Sequence, residues 1–335
     1  SYIFKTKDVV KKFMVKLLSL LNEHFPNETI LKLVITIPER ENVIVDLLKN
    51  ILAELGIRND RLVILGHKQS YMYYAVSQQK ELWANSVGLF EFDEMGLRYT
   101  NLTVDKRTIP YIVGADVHDL SDIMPYSVLQ EKGDVKYMFL NTANTMLHKK
   151  MVTTIYVTGK GFDQRWATDA LKELCNGRRV FRGQNLFNKG AAYAARMLTD
   201  REKTKEFIFL DDDMLTSDIS IRTYHNAKMH DVVLAKAGTL WSDIDESIDI
   251  IPDNEDEIQI TDKNVLTRET RAHILSLSGF AVRDNKTTRF TVRIRFADQY
   301  TCIVTLKDNG FGEFYPSTNR IWERYIKING ADSKN

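Results

Sequence analysis

The sequence predicts an α/β domain followed by an all-β sandwich domain. From residue 8 to residue 79, runs with helical spacing alternate with short β-branched runs, an order typical of an α/β sheet with short connections. Beyond residue 206 the helical period disappears, and short alternating runs separated by turn residues predict a sandwich. The charged stretch 200–206, which has no apolar residue, separates the two patterns.

The first region reads as alternating helices and strands. The apolar residues of 8–24 lie on one stripe, which indicates a helix, and Gly56 follows a second amphipathic stretch in the position of a helix C-terminal glycine. The predicted elements are helices at 8–24, 41–55, 68–79, 132–149, 165–175 and 186–198, and strands at 31–37, 61–65, 86–92, 97–104, 107–114 and 152–158.

The second region reads as strands throughout. Its alternating runs lie at 218–224, 231–235, 246–251, 257–261, 270–277, 289–296 and 301–307. Together the patterns predict three parts: a first domain at 1–199, a linker at 200–217 and a sandwich at 218–327.

Composition argues against several functional classes. The 335 residues include 46 basic and 45 acidic side chains, so the sequence shows no basic excess of the kind that nucleic-acid or membrane-surface binding needs. No apolar run approaches the ~20 residues of a spanning helix, and we predict a cytoplasmic protein. Cys175 and Cys302 are expected to be reduced and buried, because free cysteine packs like a small hydrophobe.

Two turns carry the candidate site residues. Gly159-Lys160-Gly161 joins a buried strand to a helix, where backbone N–H groups can meet a phosphate; a tight turn between packed elements explains the same residues. Asp93 follows an apolar strand and precedes Gly96. It is either a carboxylate for a hydrated metal near phosphates or an ordinary hairpin-turn residue.

Five stretches, in this order, resemble the 70-kilodalton heat-shock chaperones of the actin-like ATPase superfamily. Residues 34–38 (VITIP) resemble the V-x-T-V-P strand, and 86–104 stand where the family has its second phosphate loop. Residues 190–195 (GAAYAA) resemble the A-V-A-Y-G-A-A of the adenosine motif. Residues 207–211 (FIFLD) resemble the interdomain linker, and 275–280 (LSLSGF) resemble the F-x-L-x-G-I of the peptide-binding sandwich.

The resemblance implies a partial actin-like, ribonuclease-H-like fold with a degenerate nucleotide site. The vestigial site residues would be Asp93, Gly96, Gly159, Lys160 and Gly161. The departures from the family pattern are a first phosphate loop expected before residue 1, Glu94 and Met95 in place of glycines, and His67 in place of the family's catalytic-site Glu. We therefore predict no catalytic residue, no metal ligand and no certain cofactor for this chain; ATP and Mg are possible only in a longer chain.

These features favour a chaperone-like protein-binding module without ATPase activity. A protein or peptide partner would bind the sandwich, where the family's cleft loops correspond to 224–231 and 252–265. Two alternatives stay open. One is an ATP-binding chaperone-like ATPase whose first phosphate loop lies upstream, and the other is a structural or assembly protein with an actin-like fold. The oligomeric state is not predicted.

Overall fold

The computed structural model describes residues 2–130, 133–200, 203, 205–225, 228–253, 256–280 and 283–328. The chain forms two compact units, Ser1–Phe209 and Leu210–Asn335. The first is mixed α/β, and the second is built from antiparallel strands. Within the described part of the chain, no helix is both long enough and apolar enough to cross a membrane.

The first unit contains six helices and eight strands in its described residues. The helices are α1 (Tyr2–His24), α2 (Asn42–Glu54), α3 (His67–Val76), α4 (Val135–Leu147), α5 (Arg165–Leu174) and α6 (Leu186–Thr199). The strands are β1 (Leu33–Ile37), β2 (Leu62–Gly66), β3 (Ser86–Asp93), β4 (Gly96–Asp105), β5 (Tyr111–Asp119), β6 (Val152–Thr158), β7 (Arg179–Arg182) and β8 (Phe207–Leu210).

The centre of this unit is a six-stranded sheet in the order β7-β6-β3-β4-β5-β8. Strands β3, β4 and β5 form an antiparallel meander, while β6 runs parallel to β3 and β7 runs parallel to β6. Because β3 and β6 are parallel neighbours, their carboxyl ends lie at the same edge of the sheet. A separate parallel pair, β1 and β2, is joined through α2.

Each face of the six-stranded sheet carries its own core. One core combines sheet residues such as Leu89 with side chains of α3 and α6, including the fully buried Tyr71. The other combines sheet residues such as Phe92 with α4 and α5, including Phe139. The unit is therefore a layered α/β structure with helices on both faces.

A glycine sets the spacing between α3 and α6. A Cβ at Gly190 would lie 1.9 Å from the carbonyl oxygen of Ser70, so any larger residue would push the two helices apart. The stretch 190–195 thus serves this helix contact, whatever its resemblance to the adenosine motif.

In its described residues, the second unit consists of two four-stranded antiparallel sheets. Its strands are β9 (Ser217–His225), β10 (Lys228–Ala235), β11 (Asp245–Ile250), β12 (Glu257–Asn264), β13 (Thr270–Ser276), β14 (Phe290–Asp298), β15 (Thr301–Asp308) and β16 (Ile321–Lys327). The sheet orders are β10-β9-β12-β13 and β11-β14-β15-β16. Inward residues of both sheets, such as Ile221 and Ile294, share one core, as in a β-sandwich.

Three local predictions differ from the structure. The segment 200–217, predicted as a linker, contains β8, because Phe207 and Phe209 are buried in the first core beside β5. Cys175 is exposed instead of buried, since α5 ends at Leu174 and the chain turns to the surface there; Cys302 is buried. The short strands β7 and β16 were not predicted.

Candidate functional site

The candidate site lies at the carboxyl ends of β3 and β6. Glu91 of β3 pairs in register with Thr158 of β6, so the turns that follow both strands emerge side by side. The structure brings all five sequence-predicted residues to this edge, namely Asp93 and Gly96 on one turn and Gly159, Lys160 and Gly161 on the other. In open α/β sheets, ligands commonly bind at such an edge.

The Asp93 turn is a two-residue hairpin loop. Asp93 and Gly96 face each other in register, and Asp93 Oδ1 accepts a hydrogen bond from the backbone N–H of Met95 at 2.9 Å. Gly96 has a φ of 92°, and a Cβ there would lie 2.6 Å from Cβ of Ser121. Both residues therefore have a role in forming the hairpin, with no ligand needed to explain them.

The glycine turn packs on Phe92. Gly159 has a φ of 102°, and a Cβ at this position would lie 2.3 Å from the carbonyl oxygen of Phe92. A Cβ at Gly161 would lie 2.4 Å from Cδ1 of the Phe92 ring. The space beside Gly159 and Gly161, where a phosphate could otherwise lie, is therefore filled by the side chain and backbone of Phe92. Of the two explanations of the turn, the close packing of elements accounts for both glycines.

The charged side chains at this edge include more carboxylates than cations. Glu91, Asp93 and Glu94 lie on β3 and its turn, and Arg98 Nη2 lies 3.3 Å from Glu91 Oε2. Lys160 Nζ is 3.1 Å from Glu94 Oε1, and this hydrogen bond raises the pKa of Lys160. The one lysine that could meet a phosphate from the glycine turn is therefore paired with a carboxylate.

His67 occupies the first position of α3 at the same edge. Its ring stacks on Phe187 with centroids 3.8 Å apart, and its Nδ1 lies 3.8 Å from Glu91 Oε1. Sequence reasoning placed His67 where the chaperone family has a glutamate, but it missed Glu91, Arg98 and Phe187. Glu91 could have been found as the one charged residue inside the apolar run 87–92.

The ionisable side chains at this edge include carboxylates, the imidazole of His67, and two cations, Arg98 and Lys160, that form ion pairs with the carboxylates. Among the residues that the structure describes, no three His, Cys, Asp or Glu side chains lie close enough together to hold a metal ion. The arrangement can bind a cation-bearing or hydrogen-bonding group through Glu91 and His67. Among the described residues, the Nδ1 of His67 and the Nε of Arg98 are buried at this edge without a hydrogen-bond partner, and two such nitrogens do not form a cluster of donors for a polyphosphate.

Two family matches divide the chain. Residues 214–328 match a domain of unknown function (DUF8552). A comparison with curated proteins found no match. Residues 2–212 match the family described as "Family of unknown function (DUF5716) C-terminal". Because this second match covers more than half of the sequence, the chain belongs to the DUF5716 C-terminal family.

Proposed function

We propose that the chain is a chaperone-like protein-binding module whose first unit is a partial actin-like domain without nucleotide hydrolysis. The order of the central sheet supports the fold part of this proposal. A three-stranded antiparallel meander, β3 to β5, is extended on the β3 side by the parallel strands β6 and β7. This is the strand arrangement expected of a ribonuclease-H-like fold, which actin-like ATPases share.

The observation that carries the non-hydrolytic part is the contact between the glycine turn and Phe92. Phosphoryl transfer depends on positioning and charge stabilisation of the phosphates. At this edge Phe92 fills the approach to Gly159 and Gly161, and Glu94 pairs with Lys160. A bound triphosphate would meet carboxylates where it needs donors.

An exposed face at an edge strand, on which apolar residues flank the ion pair of Arg222 with Asp231, supports the protein-binding part. In the described residues, β10 is the outer strand of its sheet, and Met229 and Val233 on its outer face are 58% and 44% exposed. Tyr224 of β9 is the register partner of Met229 and is 68% exposed. Tyrosine and methionine are enriched in protein interfaces, and an edge strand can pair with an extended peptide.

The loop positions implied by the chaperone resemblance are only partly described. Within 224–231, residues 226–227 lie outside the described residues, and so do residues 254–255 within 252–265. The proposed partner surface is therefore the outer face of β9 and β10, which borders the first of these loops.

A peptide-binding experiment tests this surface. The intact chain is titrated with a panel of unfolded peptides by fluorescence anisotropy, and the double variant Tyr224→Ser/Met229→Ser is compared with the wild type. We expect binding that weakens about tenfold or more in this variant, as interface anchors typically do. A matched control is Ile321→Ser/Tyr325→Ser, which changes two exposed residues on the edge strand of the other sheet. No binding at high micromolar peptide, or equal loss in both variants, would contradict the proposal.

A second candidate function, an ATPase completed by further strands, is favoured by the β1–β2 pair. Parallel sheets normally have several strands and two covered faces, whereas β1 has no fully buried residue. Isothermal titration with Mg-ATP distinguishes the candidates. Our proposal expects no binding by the chain, while saturable binding with hydrolysis would favour the ATPase.

A further inference from the structure

A second polar cleft lies at the other end of the sheet, where β6 and β7 begin. It has a volume of about 500 Å³. The residues that line it include Glu81, Asn85, Thr153, Thr154, Arg178 and Arg179. Strands rise roughly 3.3 Å per residue, so Thr154 lies about 16 Å from Gly159. The cleft is therefore separate from the candidate site described above.

Two hydroxyl groups on the cleft wall have no partner among the described residues. Thr154 is 1% exposed, and neither its Oγ1 nor the buried Oγ1 of Thr153 makes a hydrogen bond. Buried polar groups in native proteins nearly always have a hydrogen-bond partner. A bound water or a polar ligand at the floor of the cleft would supply the missing partner.

A β-bulge explains how two successive threonines border one cleft. Ser86 pairs with Val152 and Val87 with Thr154, so Thr153 is an extra residue between them. In a regular strand, successive side chains point to opposite faces. A bulge re-aims a side chain and is frequent beside functional sites.

Two arginines give the cleft a positive charge. Arg178 is half-buried in the turn before β7, and Arg179 is the register partner of Thr154. Neither guanidinium makes an ion pair within the described part of the chain. Glu81 contributes one carboxylate, which leaves these walls with a net charge of +1.

We propose that this cleft binds a phosphate-bearing small molecule. The guanidinium groups of Arg178 and Arg179 and the two threonine hydroxyls would donate to the phosphoryl oxygens. Arginine matches phosphate and carboxylate oxygens bidentately, and two arginines with two hydroxyls supply more donors than the two oxygens of a carboxylate use. The volume falls within the roughly 300–1,000 Å³ of small-molecule sites, so the ligand carries an organic part beyond its phosphate.

Titration calorimetry of the full chain tests the proposal. The probes are inorganic phosphate and glycerol 3-phosphate at constant ionic strength, with chloride as the blank and succinate as a carboxylate. We expect saturable one-site binding of glycerol 3-phosphate that Arg178→Gln weakens about tenfold or more. Thr154→Val should weaken binding several-fold, and Glu81→Gln should strengthen it. Arg58→Gln, an exposed arginine paired with Asp60, is the matched control.

The exposed thiol of Cys175, which also lines the cleft, gives a second readout. Glycerol 3-phosphate should slow the alkylation of Cys175 in the wild type, and it should not change the alkylation rate in Arg178→Gln. This readout tests the cleft without relying on Thr154→Val. Non-saturable binding, equal affinity in Arg178→Gln and Arg58→Gln, or succinate binding as tightly as glycerol 3-phosphate would overturn the proposal.

Discussion

The two ends of β6 use their polar groups in opposite ways. At the carboxyl end, the hydroxyl of Thr158 donates to the carbonyl oxygen of Gly183 at 3.0 Å, and the glycine turn packs on Phe92. At the amino end, the hydroxyls of Thr153 and Thr154 have no partner among the described residues. The contrast holds for the hydroxyls of β6 itself, because at the carboxyl-end edge the Nδ1 of His67 and the Nε of Arg98 are also buried without a hydrogen-bond partner among the described residues.

This difference shows that a glycine-rich turn after a strand has two distinct physical uses. Glycine permits a ligand to approach the backbone, and it equally permits a neighbouring strand to approach. At Gly159 and Gly161 the neighbour is Phe92, so the motif supports packing. The groups that favour a ligand are instead threonines and arginines whose spacing in the sequence has no recognisable period.

The largest expected difference between the two ends comes from replacing a glycine at each end. Gly159→Ala would place a Cβ against the Phe92 backbone at a strained φ, and we expect the first unit to lose about 3 kcal/mol or more of unfolding free energy. Gly177→Ala, beside the cleft, has a φ of 72° and no atom within 4 Å of the new Cβ, so we expect about 1 kcal/mol. Hydrogen exchange of peptides from the first unit, recorded at increasing urea concentration, measures the unfolding free energy of both variants. Equal losses would show that Phe92 does not explain Gly159.

A double-mutant cycle sharpens the packing explanation. Phe92→Ala alone should destabilise the first unit by about 3–5 kcal/mol, because Phe92 is fully buried. Gly161→Ala should be less destabilising in the Phe92→Ala background than in the wild type, since the clashing ring is gone. We expect a coupling of about 1 kcal/mol or more. Strict additivity of the two changes would argue against the contact.

Two threonines of β6 should respond with opposite signs. Thr158→Val removes a hydrogen bond and should destabilise the first unit by about 1 kcal/mol. Thr154→Val removes a buried hydroxyl without a partner and should stabilise the ligand-free chain by about 1 kcal/mol. The same denaturation assay compares the two isosteric changes. If both changes destabilise the chain equally, then the absence of a partner for the Thr154 hydroxyl does not lower the stability of the folded state.

The smallest expected effect concerns the ion pair at the carboxyl end. The hydrogen bond from Lys160 to Glu94 raises the pKa of the lysine. Any stability from it is present below the ordinary lysine pKa of about 10.4 and is lost as pH rises through the raised value. NMR titration should show a raised Lys160 pKa that returns towards its ordinary value in Glu94→Gln. Stability near neutral pH should stay within error, because both side chains are exposed.

Most elements of the first unit could be predicted because their periodicity is local. The sequence placed α2 to α6, β1 to β4 and β6 within a few residues of their observed bounds, whereas α1 begins six residues earlier and β5 ends five residues later than predicted. It missed β7, whose four residues include two arginines. It treated β8 as linker because charged residues precede it and because 207–211 resemble the chaperones' interdomain linker. Both are short strands that exist through pairing with a longer neighbour, which no local pattern reveals.

The candidate site could be located from the sequence but not interpreted. The parallel pairing of β3 with β6 joins residues more than sixty positions apart and brings Gly159 against Phe92. The cleft depends on a bulge at Thr153 and on a turn that presents Arg178, and both arise from strand register. Neither contact leaves a spacing signal along the chain.

The most direct test of this account is a map of backbone amide shifts in the full chain, recorded by transverse-relaxation-optimised NMR with Mg-ATP and then with glycerol 3-phosphate. We predict that glycerol 3-phosphate shifts the signals of Thr153, Thr154, Arg178 and Arg179. With either ligand, the signals of 93–96 and 159–161 should not move. Saturable Mg-ATP shifts at 93–96 and 159–161 would contradict the account, because they would place phosphate at the turn that Phe92 fills.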